Sequence, residues 1–161
     1  MTTLCCPRCG EPLPAISSPP SLRCSAEAYA LLGRALGQSR QEKFYAVSLD
    51  SRNRIVRRHL VAVGSLASVT VHPREVFRPL VREGAAAAIV LHCHPSGDPS
   101  PSEEDQMLTA RLVEVGRMIG IPILDHLIVG RDGYHSFRDA GVLGPGPSRI
   151  DPQRGLVDDG G

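Results

Sequence analysis

The pattern of apolar and polar residues divides the middle of the chain into alternating strands and helices. Residues at helical spacing predict helices, whereas short apolar runs between turn residues predict strands. The predicted helices span Ala26 to Leu36, His72 to Glu83 with Pro79 near its middle, and Ser102 to Ile119. The predicted strands span Phe44 to Leu49, Ile55 to Val63, Ala86 to His92, Ile123 to Val129 and Tyr134 to Phe137. This mixture predicts an α/β or α+β domain built on one small sheet.

Composition separates both ends of the chain from this middle. Residues 1–24 are rich in Cys and Pro, and residues 144–161 are rich in Gly and Pro. We therefore predict one domain over residues 25–143, a Cys- and Pro-rich tail or small knuckle over 1–24, and a disordered tail over 144–161.

The cysteines raise the question of a second metal site near the N-terminus. Cys6 and Cys9 have the spacing of half a zinc knuckle, and Cys5 and Cys24 are further candidate ligands. A complete ribbon needs a second pair at this spacing, and the chain has none. A small metal site and a tail with incidental cysteines therefore both stay open.

Charge and hydropathy exclude some classes of function. The net charge of +1 gives no general attraction to nucleic acid. The chain contains no apolar run of membrane-spanning length and no signal peptide, so we predict a cytoplasmic protein without membrane contact. One basic cluster is the best candidate for contacts with phosphate, although such clusters are more often solvated edges. It consists of Arg52, Arg54, Arg57, Arg58 and His59.

The most specific chemistry lies between His92 and Asp105, in the run HCHPSGDPSPSEED. Side chains alternate along a strand, so His92 and His94 face the same side and Cys93 faces the other. Two imidazoles and one carboxylate are enough protein ligands for a zinc ion that keeps one position for water. Zinc-bound water is a hydrolytic nucleophile near neutral pH, so the run predicts a hydrolase.

The helix after this run predicts where Asp105 lies. Its apolar residues at helical spacing are Leu108, Leu112, Val115 and Ile119. Extending their stripe backwards predicts that Asp105 and Ser102 both face the buried side of the first turn. A buried carboxylate needs a partner, which a metal ion would supply. The alternative is structural, since Ser-x-x-Asp is also a helix capping signal.

Five runs of the sequence resemble the RadC family, which belongs to the JAB1/MPN (JAMM) metalloprotease-like domains. The resemblance extends over about Ser39 to Leu143. The runs are Phe44 to Asp50, Gly64 to Leu66, His72 to Phe77, His92 to Asp105 and Leu124 to Gly130. It implies a cytidine-deaminase-like α/β domain, a mixed sheet flanked by helices. It also implies a zinc ion with His92, His94 and Asp105 as its ligands.

The resemblance further implies two catalytic residues. The family has a glutamate upstream of its first strand, and Glu42 is the best match, although Glu75 is a competing acid. Glu42 would be the general base and then the general acid, and Ser102 would donate a hydrogen bond to the oxyanion. In the neighbouring strand, Asp125 or His126 either orients a ligand histidine or belongs to a core pair bound to backbone.

Two features of this chain depart from the family pattern. RadC proteins usually have a helix-hairpin-helix region before the domain, where this chain has about forty Cys- and Pro-rich residues, so nucleic-acid binding is not favoured. Cys93 replaces the usual asparagine between the histidines, and we expect little effect on zinc because it faces away.

The leading hypothesis is a JAMM-type zinc metallopeptidase that cleaves peptide or isopeptide bonds in a peptide or protein substrate. The main alternative is a non-catalytic accessory protein associated with DNA repair, and a scaffold with a purely structural zinc also stays open. A nucleobase deaminase is disfavoured, since that chemistry needs His-x-Glu followed by Pro-Cys-x-x-Cys. The sequence identifies neither the substrate nor the oligomeric state.

Overall fold

A computed structural model of the chain describes residues 20–64 and 71–143. The described strands are β1 (Lys43–Leu49), β2 (Ile55–Val63), β3 (Ala87–Cys93), β4 (Ile123–Val129) and β5 (Tyr134–Ser136). The described helices are α1 (Ser25–Ala28), which continues as a π-helical turn (Tyr29–Gly33), α2 (Pro73–Arg82) and α3 (Glu103–Met118). The predicted α/β fold is confirmed. The predicted disordered tail and the candidate ligands Cys5, Cys6 and Cys9 lie outside the described residues.

The strands form one mixed sheet in the order β2-β1-β3-β4-β5. β1 is antiparallel to both of its neighbours, whereas β3 and β4 are parallel, and β5 is antiparallel to β4. Parallel neighbours need a crossover connection, and α3 lies in the one between β3 and β4. His92 pairs with Phe44 of β1 and Ile128 of β4. The histidine motif therefore lies in the middle of the sheet, at the carboxyl end of β3.

The central strand β3 separates two hydrophobic cores. All seven of its residues are buried, as expected for a short apolar run in the middle of a sheet. Leu91 and Cys93 pack on the side of α1, and Val90 packs on the side of α2 and α3. By alternation His92 faces the second side, so the predicted opposite orientation of Cys93 is confirmed. Burial raises the pKa of the Cys93 thiol, which makes it a poor target for oxidation.

The helices differ from the predictions mainly at their ends. The first was predicted over Ala26 to Leu36, but the α-helical part is short and the following turn is π-helical. Helix α2 continues through Pro79, and α3 begins directly after Ser102. Among the described residues, none of the helices combines the length and the apolar content needed to cross a bilayer.

The chain contacts the sheet before α1 begins. Ser21 forms an isolated bridge with Arg54, and the backbone N–H of Leu22 donates to the carbonyl of Asn53. Leu22 is buried in the core beside α1. Cys24 is exposed and occupies the N-cap position of α1.

Glu83, directly after α2, connects this helix with strands β1 and β2. Its carboxylate accepts from the Ser48 hydroxyl at 2.6 Å and lies 2.9 Å from Nε2 of His59 and 3.2 Å from Nε of Arg57. Burial raises the pKa of Glu83, but these hydrogen bonds and the Arg57 charge lower it more, so it lies below its usual value. The folded state therefore favours the ionised carboxylate.

We expect Glu83→Gln to destabilise the domain by about 1 kcal/mol at pH 7, since it removes hydrogen bonds to a charged group. The lowered pKa stabilises the fold above the ordinary carboxyl pKa of about 4.3, and this contribution disappears as the pH falls through the folded value. The difference between variant and parent in urea denaturation should therefore shrink below about pH 4. The exposed Glu114→Gln is the control. If Glu83→Gln destabilised the domain equally at pH 7 and at pH 3, the ionised Glu83 carboxylate would not be the source of the stabilisation.

Candidate metal centre

The end of β3 presents two imidazoles to the same side of the sheet. His92 is fully buried and lies against the ring of Phe44, with ring centroids 5.8 Å apart. His94 follows the strand, and its backbone N–H still donates to the carbonyl of Val129 at 3.1 Å. The side chain of His94 is 19% exposed, so solvent reaches the site from this side.

A tight loop after β3 orients His94. Nδ1 of His94 lies 2.8 Å from the backbone carbonyl of Asp98, and only the imidazole can donate in this pair. The loop packs against Gly130, where an added Cβ would lie 2.3 Å from the carbonyl oxygen of Gly97. Gly97 itself has a φ of 88°, a conformation that favours glycine. Backbone contacts therefore keep Nε2 of His94 directed into the site.

The first turn of α3 contributes the carboxylate. Asp105 is buried, but Ser102 is exposed, so the prediction that both face the buried side is wrong for Ser102. Ser102 is the N-cap, with extended backbone (φ −78°, ψ 171°), so the helical periodicity does not extend to it. The Ser102 hydroxyl and backbone N–H donate to Oδ2 of Asp105 at 2.7 and 2.8 Å. The Asp105 carboxylate thus takes part both in the helix cap and in the cluster that it forms with His92 and His94.

Three predicted ligands converge on one point. The Nε2 atoms of His92 and His94 lie 3.0 Å apart. Asp105 places Oδ1 3.1 Å from Nε2 of His92 and Oδ2 3.4 Å from Nε2 of His94. Zinc–ligand bonds of about 2.0–2.2 Å put the ligands of a tetrahedral site about 3.3–3.6 Å apart. The observed separations of 3.0–3.4 Å lie at most about 0.3 Å below this range, so a small outward shift of the side chains would accommodate a tetrahedral metal ion with one position left for another ligand.

Glu42 lies beside this cluster, and Glu75 does not. Glu42 directly precedes β1, and its carboxylate forms a group with His92 and His94 whose ligand atoms lie within 4.8 Å of one another. Glu75 lies on α2, where its carboxylate contacts Arg74 and Arg78. Of the two acids weighed from the sequence, Glu42 is therefore the one placed to reach a group bound between the histidines.

The electrostatics of the cluster favour a bound cation. Burial raises the pKa of Asp105, but hydrogen bonds with His92 and His94 lower it more, so it lies far below its usual value. The hydrogen bond with Asp105 raises the pKa of His94, against the effect of burial. An ionised carboxylate and two imidazole nitrogens thus share one small volume. Protons and metal ions would compete for it, so metal affinity should fall at low pH.

The neighbouring strand supplies a hydrogen-bond partner for His92. Nε2 of His126 lies 2.8 Å from Nδ1 of His92, and Nδ1 of His126 lies 2.6 Å from the Thr109 hydroxyl. Burial holds the pKa of His126 well below its usual value. Asp125 instead accepts from the Ser136 hydroxyl and the backbone N–H of Arg138. The sequence reasoning missed Thr109, although its place one helical turn after Asp105 was a usable signal.

The predicted basic cluster is largely engaged with carboxylates of the same chain. Arg54 contacts Asp50 at 2.6 Å, and both Arg57 and His59 contact Glu83. The guanidinium of Arg58 lies 5.0 Å from the ring centre of Tyr45. These contacts are typical of a solvated sheet edge, and they give no support to a phosphate-binding surface.

Together, the mixed sheet and the cluster at the end of its central strand define a JAB-type α/β domain. The sequence profile of the RadC-like JAB domain matches residues 22–142. The chain belongs to this family, as the sequence resemblance predicted.

The chain is also similar to curated proteins from bacteria and archaea, each named UPF0758 protein. The protein from Syntrophotalea carbinolica is 50% identical over 115 residues, which cover 71% of this chain and 51% of the relative. The one from Methanosarcina mazei is 45% identical over 133 residues, covering 83% of this chain and 56% of the relative. The chain thus spans about half the length of these relatives, and their names state no activity.

Proposed function

We propose that this domain is a zinc-dependent hydrolase of the JAMM type that cleaves peptide or isopeptide bonds. The main support is the convergence of Nε2 of His92, Nε2 of His94 and the Asp105 carboxylate within 3.4 Å of one another. The Nδ1 atoms of both imidazoles are bound to protein, so the nitrogens directed into the site are the ones left for a metal. Zinc held there would supply a polarised water as the nucleophile.

The other residues of the site have roles that follow from their positions. Glu42 lies close enough to the histidines to accept a proton from such a water and to transfer it to the leaving amine. Ser102 is exposed at the start of α3, where it can donate a hydrogen bond to the oxyanion of the substrate carbonyl. The Ser102 hydroxyl hydrogen points to Asp105 in this structure, so this role requires a rotation about its Cβ–Oγ bond.

We expect the full-length protein to bind about one zinc ion per chain at this site. Zinc is counted in a variant in which Cys5, Cys6 and Cys9 are all replaced by serine, because their thiols could bind zinc elsewhere and confuse the count. Chelation should abolish cleavage of peptides and of lysine-linked isopeptides in a substrate panel, and added zinc should restore it. Elemental analysis and chromatographic detection of the new amine provide the two measurements. A folded protein that binds no zinc when supplied with it would refute the proposal.

A further inference from the structure

The ring of His126 connects two elements that contribute predicted ligands. It is fully buried, with Nε2 2.8 Å from Nδ1 of His92 and Nδ1 2.6 Å from Oγ1 of Thr109. Oγ1 of Thr109 lies 2.6 Å from the backbone carbonyl oxygen of Asp105. Three hydrogen bonds thus extend from the backbone carbonyl of Asp105, one predicted ligand, to the ring of His92, another.

We propose that this hydrogen-bond chain sets the tautomer of His92 and holds its Nε2 lone pair toward the metal position. Thr109 and His126 are positioning residues, since they act through His92. The inference rests on the proposed zinc site for its role, but the direction of the hydrogen bonds can be tested without metal.

The direction follows from the chemistry of the first pair. Two oxygens at 2.6 Å need a hydrogen between them, and the Asp105 carbonyl has none. The single hydroxyl hydrogen of Thr109 therefore points to that carbonyl. Oγ1 of Thr109 can then only accept from His126, so the proton of His126 is on Nδ1.

The tautomer of His92 follows from that of His126. The His126 ring is buried between a hydroxyl and another imidazole, where a positive charge would be costly. A neutral imidazole with its proton on Nδ1 accepts at Nε2, so Nδ1–H of His92 is the donor. Nε2 of His92, which is directed to Asp105 and His94, is then the nitrogen left to bind a metal.

His94 has the same tautomer, and a single hydrogen bond is enough to fix it. Its Nδ1 donates directly to the backbone carbonyl of Asp98 at 2.8 Å. A backbone carbonyl therefore fixes the tautomer of each histidine. It does so directly for His94, and through Thr109 and His126 for His92. Outer partners of this kind contribute about 10–100-fold to metal affinity.

The first test reads the tautomers in full-length protein labelled with ¹⁵N. Long-range ¹H–¹⁵N spectra distinguish a proton on Nδ1 from one on Nε2, and His126→Gln identifies the signals of His126. We expect His126 and His92 to be protonated on Nδ1, in both zinc-free and zinc-loaded protein. A proton on Nε2 of His126 in zinc-free protein would overturn the proposal, whatever the zinc result.

The second test compares two substitutions of the buried Thr109 in the background without the N-terminal cysteines. Thr109→Val removes the hydroxyl at similar volume, and Thr109→Ser keeps it. In competition with a chelator, we expect zinc affinity to fall about 10–100-fold in the Val variant and to stay near the parent value in the Ser variant. Equal affinities of the two variants would overturn the positioning role.

The two tests separate this inference from the proposed function. If the parent binds no zinc, the proposed function fails, while the spectra of zinc-free protein still decide the hydrogen-bond direction. If Thr109→Val does not fold by circular dichroism, the tautomers of the parent and of Thr109→Ser decide the proposal.

Discussion

Glu42→Gln is expected to lower amide hydrolysis by about 10²–10⁴-fold while zinc binding is retained. The carboxylate of Glu42 lies near both imidazoles, yet Asp105 already completes the set of three predicted ligands within 3.4 Å. Glutamine has nearly the same shape but cannot accept the proton of a nucleophilic water. The substitution should therefore remove proton transfer and leave the metal in place. Turnover rate and zinc content are measured on the same sample.

Glu75→Gln is the matched control for this prediction. Glu75 is a half-buried acid on α2 that contacts Arg74 and Arg78 rather than the histidines, so its loss should leave turnover unchanged. Full activity in Glu42→Gln would remove Glu42 from the mechanism. Loss of zinc together with activity would instead make Glu42 a ligand.

His94→Ala is expected to lower zinc affinity by more than about 100-fold, since even the loss of an outer hydrogen-bond partner costs about 10–100-fold. Nε2 of His94 is within 3.4 Å of the other two predicted ligands. The free energy of unfolding of the zinc-free protein should fall by only about 1 kcal/mol, the usual cost of losing a hydrogen bond such as that to the Asp98 carbonyl. Affinity is read by chelator competition in the background without the N-terminal cysteines.

His135→Ala provides the comparison. His135 lies on β5, where its ring packs against Phe137 rather than against the cluster. Zinc affinity should be unchanged in this variant. If His94→Ala kept the affinity of its parent, the histidine motif would not be the metal site, and the proposed function would lose its basis.

Periodicity predicted the fold well because local pattern and tertiary packing agree here. Ala86 to Leu91 form an uninterrupted apolar run, and β3 is buried on both faces. The opposite orientation of His92 and Cys93 needed only strand alternation. The predicted ligands come from a strand end and a helix start joined by one short loop, so their proximity was also readable from the sequence.

What could not be predicted depends on contacts between elements that are distant in sequence. The exposure of Ser102 follows from the cap geometry, which a helical stripe does not represent. The contact of Thr109 with His126 depends on how α3 lies across β4. The resemblance already favoured Glu42 over Glu75, but the proximity of Glu42 to the histidines depends on the sheet register that brings the start of β1 beside the end of β3.

The capping interaction at the start of α3 has a consequence for how the domain acquires metal. The hydroxyl and the backbone N–H of Ser102 hold the Asp105 carboxylate in place, and two packed cores support the fold around it. The zinc-free chain should therefore remain folded, unlike zinc fingers, whose folding depends on the metal. Zinc can then enter and leave a preformed site without unfolding, so the active fraction of the protein would follow the supply of free zinc.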